Sequence, residues 1–184
     1  MSSGCWKFSG SSPEFIFKDL LKKLNKSWED IFGWKLFLSV NSQQSNISNQ
    51  LTVLGSDNQG ACLKLIQRLN VILSESINVE ALKDTGIKFQ KNKGSITKLS
   101  YFLESKGIKM SPFINYLLQL NTFRSELTDA HRHSSDASDN FLKASAFFEF
   151  DKDSPRYKKL SIVLFEKANE AIQELLARIN KLSL

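Results

Sequence analysis

The sequence predicts an all-α fold, an up-and-down bundle of about five to six helices. Apolar residues recur at three- and four-residue steps in several long segments, the period of a helix with one buried face. Start and stop signals punctuate those segments: Ser-Pro pairs at 12–13, 111–112 and 154–155, and glycines at 33, 86 and 107. A Gly-rich phosphate loop, a fixed-period repeat and a sustained heptad series are all missing, which disfavours nucleotide-binding α/β folds, solenoids and coiled coils.

Residues 1–11 are rich in Ser and Gly and are expected to be loose, a leader or a linker, so the helical domain is 12–184. Ser12-Pro13-Glu14 reads as a helix start: a hydroxyl placed to cap a free amide, proline at the first helical position and an acid in the first turn. Phe17, Leu20, Leu21, Leu24, Trp28 and Ile31 form that helix's apolar stripe, with Lys18, Lys22, Lys23 and Glu29 opposite and Gly33 as the stop. From 34 to 55 two readings stay open. WKLFLSV and LTVL are either two short strands around the polar stretch NSQQSNISNQ, or a helix extension followed by an insertion.

A second helix covers about 58–75, with Cys62, Leu65, Ile66, Leu69, Ile72 and Leu73 on one face. Asn78 caps a short turn, VEALKD, closed by Gly86, and KFQKNKG reads as a loop. Ser95 opens a third main helix, whose stripe is Ile96, Leu99, Phe102 and Leu103 and whose stop is Gly107. Ser111-Pro112 starts the central helix. Beyond it lie a turn, SSDASD, a short apolar helix, NFLKASAFFEF, and a long last helix starting at Asp153-Ser154-Pro155. Leu160, Leu164, Ala168, Ala171, Leu175, Ile179 and Leu182 line its buried face, and Val163, Ile172 and Leu176 widen it enough to touch two neighbours.

A chain of 184 residues is long enough for one core without disulfides or metal. Cys5 and Cys62 lie far apart and match no zinc spacing, so free thiols in a reducing compartment are expected. The N-terminus lacks the apolar run of a signal peptide, and no stretch is apolar for long enough to span a bilayer; the expected location is cytoplasmic, without a membrane partner. The net charge of +6 favours a polyanionic partner. Of 25 positive residues 20 are lysines spread along the chain, which is equally the pattern of a solvated surface.

The one constellation able to carry chemistry lies on the central helix. Phe113, Leu117, Leu120, Arg124, Leu127 and His131 follow steps of 4, 3, 4, 3 and 4, so Arg124 stands where an apolar residue is expected. If the helix persists, Arg124 and His131 share a face, about 10 Å apart along the axis. An arginine on the buried side must be paired or must line a cleft. As a purely structural residue it pairs with Glu126 or Asp129 on its own helix or with a carboxylate on the last helix. His131 and His133 near the helix end are equally explained as surface residues favourably placed against the dipole.

The segment LNTFRSELTDAHRH, with six residues between Arg124 and His131, resembles the R-x(4 to 6)-H signature of HEPN domains, most closely those of abortive-infection and toxin-type ribonucleases. The resemblance covers the motif and the helical layout of about the last hundred residues. Ser125 stands where the family often has asparagine, neither glycine nor a tyrosine-containing string follows the histidine, and NFLKASAFFEF resembles an insertion.

The resemblance implies cleavage of RNA without a metal or other cofactor, by a homodimer that pairs two motifs across one basic cleft. In that scheme His131 is the general base or acid, Arg124 holds the scissile phosphate, and Ser125 orients phosphate or histidine. Arg132, His133 and Lys143 are candidates for contacts to the RNA backbone. Such a toxin or defence effector is expected to have an antitoxin or regulatory partner. The competing expectation is a catalytically inactive helical module for protein or nucleic-acid binding, or a domain of a larger protein, a reading that the 14 phenylalanines also fit.

Overall fold

A computed structural model describes residues 11–38, 47, 49–89, 92–109, 111–129 and 138–183. Among them it contains seven α-helices and no strand. The helices are α1 (Pro13–Phe32), α2 (Gln59–Asn70), α3 (Val79–Asp84), α4 (Ser95–Ser105), α5 (Pro112–Asp129), α6 (Asp139–Phe147) and α7 (Tyr157–Asn180). A π turn, Val71–Glu75, extends α2, and a 3₁₀ turn, Lys181–Ser183, ends α7. The all-α bundle expected from periodicity is therefore the observed architecture. No helix among the described residues is long and apolar enough to cross a membrane.

The pairing of α1 and α7 is the most extensive in the bundle, and the two run antiparallel. Asn169 Nδ2 on α7 donates to the Pro13 carbonyl at 2.9 Å, and one turn further along Phe17 and Phe165 meet with ring centroids 5.6 Å apart. The α1 stripe is buried at Phe17, Leu20, Leu24 and Trp28, and the helix stops as expected at Gly33, whose φ of 78° is a left-handed conformation that suits glycine. The capping differs from expectation at the other end. The Ser12 hydroxyl binds the Glu14 carboxylate instead of a free amide.

Helix α5 lies across the middle, against α2, α6 and α7. Its residues Phe113, Tyr116, Leu117, Leu120 and Phe123 are all fully buried. Tyr116 illustrates how a polar tip is tolerated there: its hydroxyl donates to the Leu164 carbonyl at 3.2 Å, which removes the penalty of an unmade hydrogen bond. Burial raises its pKa well above the ordinary phenol range. Around Phe123 the rings of Phe141, Phe148 and Phe150 pack at 5.3 to 5.8 Å and fasten α6 to α5.

Three further expectations are revised. The stretch 34–38 forms no strand and holds one isolated bridge. Phe37 bridges antiparallel to Ile77, while Leu51 is buried in the core and Leu54 N–H donates to Ser161 Oγ at 3.0 Å. The last helix begins at Tyr157 and is capped from far away, by Asp57 Oδ1 accepting from Lys158 N–H at 2.8 Å. Leu182, placed on the buried stripe by its spacing, is 43% exposed because α7 has already given way to the 3₁₀ turn.

Candidate functional site

Arg124 sits on the fourth turn of α5, where the apolar stripe from Phe113 to Leu120 is interrupted before resuming at buried Leu127. Its Nη1 lies 3.0 Å from Glu75 Oε1, in an ion pair whose side chains are 35% and 53% exposed. This carboxylate comes from the π turn after α2, not from Glu126 or the last helix. At this exposure the pair contributes about 0–1 kcal/mol, so it positions the guanidinium more than it stabilises the fold.

Glu75 is itself held. Asn70 Nδ2 donates to the same Oε1 at 3.2 Å. The two are five positions apart, which on a regular α-helix would place them about 140° apart. The π turn removes that obstacle. Its wider ring, closed by Ser76 N–H donating to the Val71 carbonyl at 3.1 Å, brings residues five apart onto one side. The sequence therefore forms a short relay from a buried asparagine through a half-exposed glutamate to a half-exposed arginine.

The relay has a structural cost. Among the described residues, Asn70, 1% exposed, has no hydrogen-bond partner for its Oδ1, and the Ser74 hydroxyl is also buried and without one. A buried amide oxygen left unpaired costs about 1–3 kcal/mol. Turning the amide over would not help, because it would set a carbonyl oxygen against the Glu75 carboxylate.

Ser125, the residue after the arginine, is exposed, and its hydroxyl donates to the Asn121 carbonyl at 3.1 Å, back along its own helix. Lys143 is an exposed residue of α6. His131, Arg132 and His133 lie outside the described residues. Of the six candidates from the sequence, the structure thus describes Arg124, Ser125 and Lys143, and it adds Asn70 and Glu75. Asn70 had a readable signal, since it is a polar residue between Ile66 and Leu73 on the buried stripe of α2. Glu75 had none.

A cleft of about 470 Å³ opens between α4 and α5, lined among others by Leu103, Glu104, Ile108, Asn115 and Leu118. It does not include Arg124. The Arg124 side chain is 35% exposed, and its charge is partly offset by Glu75.

Fold and site together define an all-α helical bundle with a paired arginine on its central helix. No family model, no curated protein and no solved structure matches the chain.

Proposed function

We propose that this chain is a metal-independent endoribonuclease of HEPN type. It acts as a toxin or defence effector, and Arg124 binds the scissile phosphate while His131 moves the proton between ribose 2′-OH, phosphate and leaving 5′-oxygen. The observation that supports the reading is the setting of Arg124: a guanidinium on the central helix of an all-α bundle, oriented by a carboxylate yet 35% exposed. A purely structural arginine in an apolar stripe would be expected to be closed off. A guanidinium held in place and partly exposed suits contact with a phosphate and offsets charge developing in the transition state. In this proposal the protein is a cytoplasmic homodimer, two copies of the motif share one RNA cleft, and an antitoxin or regulatory protein holds it in check.

One observation favours a second reading, a catalytically inactive module that binds protein or nucleic acid: Glu75 already neutralises part of the Arg124 charge within one chain. The two readings separate in a single assay. Purified protein is incubated with RNA in EDTA, as wild type, Arg124→Ala and His131→Ala. The nuclease reading expects cleavage that falls roughly 10²- to 10³-fold in the first variant and 10²- to 10⁴-fold in the second. Absence of cleavage by the pure wild-type protein, or cleavage indifferent to both changes, overturns it in favour of the binding module.

A further inference from the structure

We infer that Glu75 is an electrostatic latch on Arg124, a built-in carboxylate that competes with an RNA phosphate for the guanidinium, so that RNA binds at full strength only when Glu75 is displaced or neutralised. The inference rests on the proposal that Arg124 is the phosphate-binding residue.

An exposed glutamate is normally free to leave a surface ion pair, because holding two long side chains in one geometry loses entropy for little Coulombic gain. Glu75 is restrained from behind. Asn70, buried at 1% exposure, grips at 3.2 Å the same oxygen that meets Arg124 at 3.0 Å. Maintaining that grip requires two unfavourable features. One is a π turn in place of an α turn; the other is a buried Asn70 carbonyl with no partner among the described residues. An apolar residue at position 70 would fill the stripe between Ile66 and Leu73 and need neither.

Fold stability therefore does not account for the arrangement, whereas control of Arg124 does. A phosphate approaching the guanidinium meets the negative charge of Glu75 at ion-pair distance. It must either displace the carboxylate, offering more charge and more acceptor oxygens in return, or bind weakly beside it.

The test uses a fluorescently labelled RNA oligomer with 2′-O-methyl groups throughout, so that binding is read by anisotropy without cleavage. Wild type, Glu75→Gln, Arg124→Gln and the double variant are compared over a range of salt. Glutamine keeps the size of Glu75 and an oxygen for Asn70 but removes the charge, and circular dichroism verifies that each variant is folded.

The latch predicts that Glu75→Gln binds roughly three- to fivefold tighter at low salt. It also predicts that the slope of log K against log salt steepens by roughly 0.7, one further phosphate contact, and that both gains vanish when Arg124 is glutamine. Binding by Glu75→Gln that is equal to or weaker than wild type, or a gain that survives without Arg124, overturns the latch. Failure of the functional proposal looks different. If Arg124→Gln binds RNA as wild type does, or no variant binds, Arg124 is not a phosphate site and both ideas fall. If Arg124→Gln weakens binding while Glu75→Gln changes nothing, only the latch falls.

Discussion

Asn25 grips Phe37 by both main-chain groups: its Nδ2 donates to the Phe37 carbonyl at 3.2 Å and its Oδ1 accepts from the Phe37 N–H at 3.0 Å. On the other side of the same stretch, Leu38 N–H donates to the Ser76 carbonyl and Asn78 N–H to the Leu36 carbonyl, both at 2.8 Å. Leu36, Phe37 and Leu38 thus find main-chain partners on two sides, once from backbone and once from a side chain that mimics it, which satisfies a non-helical segment within an all-α fold. Asn25→Ala leaves two main-chain groups of Phe37 unpartnered. It is expected to cost about 1–3 kcal/mol, read as a lower urea midpoint with an unchanged m-value. A midpoint equal to wild type would show that water replaces the amide without penalty.

The Ser125 hydroxyl is engaged with the Asn121 carbonyl and points back along α5. Any help it gives to a phosphate or to His131 would require breaking that bond. RNA cleavage by Ser125→Ala is therefore expected to stay within about threefold of wild type while Arg124→Ala falls far more, since an exposed serine removed from a helix surface leaves no buried group unsatisfied. A loss by Ser125→Ala comparable with that of Arg124→Ala would place the hydroxyl in the reaction after all.

The helices were legible because helical period and core contact coincide: among the described residues, the stripes written for α1, α2, α4 and α5 face the core, Arg124 excepted. What could not be read depends on long-range partners. Asp57 caps α7 from 101 residues away, so no local pattern around Ser154 could announce it. Ser12 and Ser111 mark helix starts correctly, but their hydroxyls do not cap: one binds Glu14 and the other is buried without a partner among the described residues. At the site, Arg124 and Asn70 both show as polar breaks in apolar stripes. Their link through Glu75 does not, because it exists only where an α turn has widened into a π turn, and no residue type signals that change.

Cys62 is 1% exposed, and burial pushes its thiol up to about 12. The raised value means that the folded protein keeps a proton which the unfolded chain releases once pH passes the ordinary 9.0. The native state then binds more protons than the unfolded state, so the stability contributed by Cys62 is complete below that pH and declines as pH rises toward the folded value. With Cys5 replaced by serine, Cys62 should resist a thiol reagent at pH 8 and react on unfolding in urea. The fall in unfolding free energy above pH 9 should be shallower in Cys62→Ala than in the parent, by at most about 1.4 kcal/mol per pH unit. Rapid labelling of the native protein, or identical slopes, would contradict this account.

Phe123 is the residue on which the attachment of α6 depends. It is fully buried, its ring stacks on Phe141 within 7° of parallel at 5.8 Å, and Phe148 and Phe150 close the other sides. Phe123→Ala removes one ring from three contacts at once and is expected to cost about 3–5 kcal/mol. The loss should also be local before it is global. Helix α6 has nine residues and is too short to persist alone, so its amides depend on the docked ring cluster for protection. Hydrogen exchange at native pH should accelerate across Asp139–Phe147 by orders of magnitude in Phe123→Ala, while α1 and α7, paired along their length, change only as far as the global free energy does. Uniform acceleration over all the helices would mean that α6 unfolds only with the whole bundle and that the Phe123 cluster is part of the main core.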